Sequence, residues 1–330
     1  MPDATIYDVA ERAGVSISTV SRVLNSPGHV NVATRRRVLV AIDELDFVPK
    51  AEAAARARKG TRRIGVLAPF IAYPSFVQRL RGVATLADAA YELVIYNIDS
   101  AARRDGYLST LPLTRRLDGL IVMALPFSDA AARRLLASEL EAVLIECSHP
   151  SFSSVEIDDA AGGRLVACYL IEQGHRRFGF VGDAEAPDYA IHTSARRLAG
   201  YQQALHAAGL ELPVDSIALG RHGLEQARQL THQLLDLRAP PTAIFAPSDT
   251  QALGVLKAAR ECGLATPTDL AVVGFDDVEI AAYIGLTTVR QPLEESGRVA
   301  ADLLLARLAD GSRPVQHVRL PLTIVKRETA

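Results

Sequence analysis

Catalytic signatures are missing from this chain. It has no G-x-x-x-x-G-K-[ST] phosphate loop, no G-x-G-x-x-G after a strand, no H-E-x-x-H and no G-x-S-x-G elbow, the motifs that build a phosphate cradle, a metal pair or a strained nucleophile. Its three cysteines, Cys147, Cys168 and Cys262, are an odd set with no C-x-x-C. That argues against a zinc site or a disulfide frame and reads as buried free thiols in a reducing compartment. No apolar run approaches the roughly 20 residues of a membrane span. The N-terminus enters a helix within about five residues, without the basic-then-apolar leader of an exported chain. His175, in GHRR, reads as a turn residue before a strand rather than as a base. These absences predict a cytoplasmic protein that is no enzyme and needs neither metal nor cofactor.

What is present begins at Thr5. TIYDVAERAGVSISTVSRVLN, Thr5 to Asn25, reads as two short helices joined by a tight turn. Thr5 and Asp8 have the spacing of a capping box, so the first helix starts at Ile6. Val9, Ala10 and Ala13 form its inner face, and Gly14 ends it by taking the left-handed conformation. Ser16 caps a second helix with Val15, Val20, Val23 and Leu24 inward and Ile17, Ser18, Ser21 and Arg22 outward. A third helix, about Val32 to Leu45, is capped by Asn31 and places Val38, Ile42 and Leu45 at helical spacing. The three helices close one small core.

The charge is unevenly laid out. Residues 1 to 63 hold 11 Lys and Arg against 7 Asp and Glu, while the remainder holds 25 against 31. A basic head on an acidic body suits phosphate binding by the head alone. In a helix-turn-helix the second helix enters the major groove, which makes Ile17, Ser18 and Arg22 the expected base readers. Arginine can pair bidentately with guanine, isoleucine can touch a thymine methyl and serine can bond several bases. Thr5, Ser16, Thr19, Ser21, Asn25, His29 and Thr34 suit phosphate oxygens, or serve as ordinary caps and solvated groups.

Residues 5 to 49, with YDVAERAGVSISTVSRVLN and the closing DFVPK, resemble the headpiece of the LacI/GalR family of bacterial transcription regulators. The resemblance implies that the linker Lys50 to Gly60, KAEAAARARKG, forms a hinge helix only on operator DNA, where a leucine pries a minor-groove step. Arg56 stands at that leucine's position. An arginine inserts into a narrow electronegative groove rather than wedging a base step. Arg56 and Arg58 therefore either replace much of the wedge with charge or belong to a solvated linker.

From Ile64 onward apolar runs alternate with amphipathic helices, the pattern of mostly parallel sheets with helices on both faces. The runs are Ile64 to Phe70, Glu92 to Asn97, Gly119 to Leu125, Ala142 to Glu146, Phe178 to Gly182, Thr242 to Ala246 and Leu270 to Phe275. A body of about 270 residues is too long for one ordinary core and should divide into two lobes with a cleft. SVEIDDAAGG, GHRRFGFVG, ARRLAGYQQAL, PTAIFAPSDTQALG, LAVVGFDD and TTVRQPLEESG extend the resemblance to about residue 327. It implies a periplasmic-binding-protein-like body of two Rossmann-like lobes, with crossings near Asp158 to Gly162, Thr288 to Gln291 and Leu320.

The expected organisation is therefore an all-α helix-turn-helix headpiece at 1–49, a hinge linker at 50–61 and a two-lobed α/β effector and dimerisation domain at 62–330. One lobe takes about 62–160 and 291–320, the other 161–290 and 321–330. Ligands of open α/β sheets bind beyond the carboxyl ends of the strands. That points to Tyr73, Phe76, Glu146, Arg197, Asp249, Asp276 and Gln291, a set of carboxylates, an arginine, an amide and two rings that suits a sugar. The resemblance matches Arg197, Asp249, Asp276 and Gln291 to effector-contacting positions. Alternatives stand beside these roles: Asp276 and Asp277 as caps of the next helix, Arg196 as the inward arginine, Tyr73 and Phe76 as core aromatics.

The implied whole is a homodimeric regulator, in most such proteins a repressor, that grips near-palindromic double-stranded operator DNA and answers to a sugar or sugar derivative. A ligand carrier with a non-functional headpiece, and a regulator answering to a nucleobase, are the alternatives.

Overall fold

The computed structural model describes residues 4–25, 30–45, 47, 61–185 and 187–330. The chain forms two compact units: Met1–Ile71, Val83–Val155 and Arg298–His317 make the first, and Ala72–Gly82, Glu156–Gly297 and Val318–Ala330 the second.

The first unit opens with α1 (Ile6–Ala13), α2 (Ile17–Asn25) and α3 (Val32–Glu44). The Thr5 hydroxyl accepts the Asp8 N–H at 3.4 Å, and the Asp8 carboxylate accepts the Thr5 N–H at 2.6 Å. The Thr5 hydroxyl, 2.6 Å from the Asp8 carboxylate, and the Thr5 N–H both donate to that carboxylate and hold it below its ordinary range. Gly14 takes φ +62° at the end of α1. Ser16 Oγ accepts the Thr19 N–H at 3.2 Å, and Asn31 Oδ1 accepts the Thr34 N–H at 2.8 Å. Each such cap is worth about 1 kcal/mol. Val9, Val20, Val23 and Val38 are fully buried in a core completed by Ala10, Ala13, Ala41, Ile42 and Phe47.

This headpiece is seated on the rest of its unit. Leu113, in the helix Ala101–Thr114, packs against the headpiece core. Asp43 of α3 accepts two bonds from Arg134, from Nε at 3.0 Å and Nη2 at 2.5 Å. The Asp43 bond raises the Arg134 guanidinium above its already high value.

The unit's sheet contains β1 (Arg63–Ala68), β2 (Glu92–Asn97), β3 (Gly119–Met123), β4 (Glu141–Ile145), β5 (Ser153–Glu156) and β11 (His317–Arg319), in the order β11-β5-β4-β3-β1-β2. The pairs from β2 through β5 are parallel. Residues 64–68 and all of β3 are buried, which is why these strands read as unbroken apolar runs.

The second unit repeats the winding with β6 (Phe178–Asp183), β7 (Ile217–Gly220), β8 (Ala243–Phe245), β9 (Ala271–Asp276), β10 (Thr287–Arg290) and β12 (Thr323–Val325). Their order is β12-β10-β9-β8-β6-β7, with β12 antiparallel to β10. In both sheets the order reverses next to the first strand, between β1 and β3 and between β6 and β8. Such a reversal opens a crevice at the carboxyl ends. Phe178, Phe180, Tyr201, Phe245 and Phe275 fill one core of this unit, and Val255, Ile244 and Val272 lie in the other.

Two glycines set the geometry that matters later. In α7 (Asp159–Glu172) and α8 (Thr193–Ala207), a Cβ on Gly163 would lie 1.9 Å from the Arg197 carbonyl oxygen, and one on Gly200 1.9 Å from that of Ala160. Backbone meets backbone at this crossing, so no side chain fits.

Several expectations need correction. Cys147 is buried, but Cys168 and Cys262 are exposed, because both stand on outward helical positions rather than in a core. The headpiece helices group with the first unit and residues 72–82 with the second. Leu320 lies just beyond β11 rather than within a strand, its N–H donating to Glu156 O at 2.9 Å. Between β1 and β2 the chain forms α4 (Pro74–Val83) followed by a 3₁₀ turn, Ala84–Ala87. Among the described residues no helix is long and apolar enough to cross a membrane, and no group of three His, Cys, Asp or Glu side chains is placed to hold a metal.

Candidate nucleic-acid interface and ligand site

On α2 the inward set Val20, Val23 and Leu24 is at most 7% exposed, whereas Ile17 is 41% exposed and Ser18 and Arg22 are exposed. The three residues expected to read bases thus share the outer face of a helix whose first turn is open. Ser16 Oγ also lies 2.8 Å from Ser18 Oγ and 2.9 Å from Thr19 Oγ1. The hydroxyls of Ser16, Ser18 and Thr19 form one cluster over the positive end of α2, where an anion is favoured.

Thr5 is committed to the capping box through Asp8, and Thr34 lies in the first turn of α3 with its N–H on Asn31. Ser21 is half-buried. His29, Arg56, Arg58 and the Asn25 side chain, all expected at the DNA, lie outside the described residues.

The second unit gathers most of the expected ligand residues at the carboxyl edge of its sheet. Arg197, projecting from α8 beside the glycine crossing, is 4% exposed, while Arg196 faces solvent. Arg197 Nε donates to Asp159 Oδ1 at 2.9 Å and Nη1 to Pro247 O at 2.6 Å. Nη1 also lies 3.6 Å from Asp276 Oδ1, and the guanidinium carbon sits 3.6 Å from the centroid of the Phe275 ring. Gln291 Nε2 donates to Asp276 Oδ1, and Arg79 Nη2 donates to Gln291 Oε1 at 2.9 Å. Arg79 in turn lies over the Phe76 ring, 5.6 Å from its centroid. Arg79, Gln291, Asp276, Arg197 and Asp159 therefore form one buried chain of alternating donors and acceptors.

A second patch lies at the end of β6. The Tyr73 and His222 rings stack at 4.6 Å and 20°. His222 Nδ1 is 3.3 Å from Asp183 Oδ1, which also accepts from Gln251 Nε2 at 3.0 Å. Burial, then the Asp183 charge, raises the Tyr73 hydroxyl above its ordinary value, so the ring keeps its proton.

Backbone strain marks the turn at Asp276. Asp276 has φ +119° and Asp277 φ +57°, costly conformations for residues with a Cβ. Arg290 Nε and Arg327 Nη2 hold Asp277, each at 2.6 Å. The N-cap position of α11 (Glu279–Tyr283) belongs to Val278, which makes no side-chain cap, so neither aspartate serves as the cap.

Asp249, also expected at the ligand, opens α10 (Asp249–Glu261) with its side chain fully buried, Oδ1 accepting from Thr288 Oγ1 at 2.5 Å and Oδ2 from the Val278 N–H at 2.8 Å. These bonds tie it to β10 and to the residue after Asp277. Burial and the nearby Asp276 charge push its carboxyl well above the usual carboxylate range. Glu146 belongs to the first unit, just after β4, at φ +61°.

Sequence reasoning missed Arg79, Asp159, Asp183, His222, Gln251 and Phe275. Asp183 had a legible signal, since it ends the run FGFVGD. Phe275 was read only as the end of an apolar run, and the others lie within helices or loops whose approach to the strand ends has no sequence signature.

Residues 5–50 match the bacterial regulatory proteins of the lacI family, and residues 167–330 match the periplasmic binding protein-like domain. The HTH-type transcriptional repressor PurR of Erwinia tasmaniensis is 35% identical over 335 residues, covering 99% of this chain and 96% of that protein. The solved complex of the transcriptional regulator CelR with cellobiose is 29% identical with a TM-score of 0.72, covering 99% of this chain and 100% of that one. The lac repressor dimer bound to operator and the anti-inducer ONPF is 31% identical with a TM-score of 0.70, covering 99% and 98%.

Proposed function

As a member of the LacI family of bacterial regulatory proteins, this chain is a regulator of transcription and not an enzyme, and we propose that it represses its targets as a homodimer on a near-palindromic operator, with a sugar-like effector setting the affinity. The observation that carries the DNA half is the α2 face: Ile17, Ser18 and Arg22 outward on a helix whose inner side is locked in a core. A headpiece kept only as a relic would have no reason to retain that outward set.

One headpiece covers too little surface for tight binding, so two act together on half-sites about one helical turn apart. Ile280 and Tyr283 of α11, 43% and 81% exposed, supply apolar surface suited to a dimer contact on the acidic body. The PurR and lac repressor likenesses support both the repressor reading and the dimer.

The effector half rests on the chain Arg79–Gln291–Asp276–Arg197 beside the Tyr73 and Phe76 rings. Planar donors and acceptors grip adjacent hydroxyls while ring faces pack on the C–H surface of a sugar. The stack of Tyr73 on His222 favours a second reading, a nucleobase lying flat against one of the rings. Binding of effector and of DNA are then coupled with equal magnitude in both directions.

A thermal-shift screen of mono- and disaccharides against purines and pyrimidines tests this half. A ligand at one hundred times its Kd stabilises by about 2.7 kcal/mol, and Arg197→Ala and Asp276→Ala should abolish the shift. A hit that survives both substitutions moves the site elsewhere. Retention on immobilised duplex DNA tests the other half: a regulator elutes steeply with salt through counterion release, whereas a carrier passes through.

A further inference from the structure

Away from both sites, the ends of α9 (Leu224–Leu235) and α10 (Asp249–Glu261) lie side by side and carry a cysteine, an imidazole and a carboxylate in line. Cys262, exposed at the C-terminus of α10, has its Sγ 3.5 Å from His232 Nδ1. His232 Nε2 lies 2.9 Å from Glu261 Oε2. From this geometry we infer that Cys262 is a base-activated thiol and a modification site for small disulfides, with His232 as its base and Glu261 as the group that orients the base.

The tautomer follows from the donors. Glu261 also accepts from Arg228 Nη1 at 2.8 Å and faces Lys257 Nζ at 3.1 Å. Its bonds with His232, Arg228 and Lys257 hold its carboxyl down to about 2, so near neutral pH it is an anion that only accepts. The shared hydrogen is therefore on His232 Nε2, which leaves the lone pair of Nδ1 aimed at Sγ. Arg228 Nη1 also lies 3.4 Å from His232 Nε2, but it donates to Glu261 at the shorter 2.8 Å, and the 2.9 Å approach of Nε2 to the anionic Glu261 oxygen requires the hydrogen on Nε2.

The helix cannot do the activation itself. Cys262 is the C-cap of α10, where the macrodipole is negative and disfavours a thiolate. The thiol is reactive only as its proton leaves, and His232 is placed to take it. The step balances without a further reagent. The S–H proton passes to His232 Nδ1, the sulfur attacks one sulfur of the incoming disulfide, a new S–S bond forms as the old one breaks, and the expelled thiolate takes the proton from the imidazolium. The product is a mixed disulfide at the exposed end of the α9–α10 pair, reversed by excess thiol.

The other cysteines differ in kind. Cys147 is buried, with its thiol 3.9 Å from Val122 O. Cys168 is exposed on α7 and serves as the in-chain reference.

The test is the rate of reaction with neutral 2,2′-dithiodipyridine between pH 5 and 8, with each cysteine resolved by peptide mapping. Cys262 should outrun Cys168 by about a hundred-fold near pH 7, the low end of what a positioned base contributes. His232→Gln should bring Cys262 to within a few-fold of Cys168. Glu261→Gln, which keeps the imidazole, should slow Cys262 several-fold. An unchanged Cys168 rate reports that each variant is folded. Equal rates for the two cysteines in the unaltered protein overturn the inference, as does a Cys262 rate and pH profile that His232→Gln leaves unmoved.

Discussion

Arg197 offers the sharpest perturbation, because its guanidinium is the shared partner of two buried carboxylates. The side chains of Arg197, Asp159 and Asp276 are 5%, 5% and 9% exposed. Arg197→Met keeps much of the volume over the Phe275 ring but removes the bond to Asp159, the ion pair with Asp276 and the bond to Pro247 O. Two carboxylates are then left in a site that water scarcely reaches. Removing one partner of a buried pair costs about 3–5 kcal/mol, most of it the penalty of the charge left behind. With urea m-values of about 1–3 kcal/mol/M, the midpoint of the second unit's transition should fall by more than about 1 M. Adding Asp159→Asn removes the worse of the two stranded charges and should restore a good part of the loss, a coupling that a double-mutant cycle reads directly. A midpoint shift below about 0.3 M, or a double variant no better than the single one, would refute the view that this arginine neutralises the site.

Arg22→Ala should cost about 1–3 kcal/mol in operator binding and relax discrimination at one base pair; titrations against operators altered singly at each position check it, and a uniform loss at every position would make Arg22 a phosphate contact instead. For Asp249 the unfolded chain loses its proton near the ordinary value of about 4 while the folded chain keeps it. Stability should therefore fall as pH rises from about 4 toward the raised folded value, by about 1.4 kcal/mol for each unit between the two. Asp249→Asn mimics the neutral acid and should flatten that slope in denaturation curves at pH 4 to 7; an unchanged slope would mean the carboxyl is ionised in the fold. Gly200→Ala should lie at or above the top of the roughly 1–3 kcal/mol range of overpacking, since its Cβ meets the Ala160 backbone rather than a movable side chain; a variant as stable as the parent in thermal melts would mean the α7–α8 crossing can open. Asp43→Ala should cost under about 1 kcal/mol, because its pair with Arg134 is 42% and 32% exposed; a larger drop in headpiece amide protection would make that pair a principal tether.

The headpiece was the most legible part of the chain. Thr5 with Asp8, Gly14, Ser16 and Asn31 are local signals, each acting within three or four residues, and each lies where the pattern puts it. The buried strands were legible for a related reason: β3, and β9 as far as Phe275, are apolar because helices cover both faces. The short strands Ile217–Gly220, His317–Arg319 and Thr323–Val325 were not, since they sit at sheet edges and are only three or four residues long. At the candidate ligand site, position after a strand marked Asp276 and Asp249, but not that Asp249 bonds Thr288 and Val278, 39 and 29 residues away.

Local chemistry therefore settled by sequence alone that this chain has a capped three-helix headpiece with Ile17, Ser18 and Arg22 outward, followed by a body of parallel sheets, because caps and periodicity act over one or two turns of backbone. Only the tertiary structure decided which polar side chains share a neutralised pocket. Arg197 meets Asp159 because two glycines let their helices touch, and Cys262 meets His232 because two helix ends lie side by side. Such meetings depend on distances between segments far apart in the chain, which no local pattern encodes.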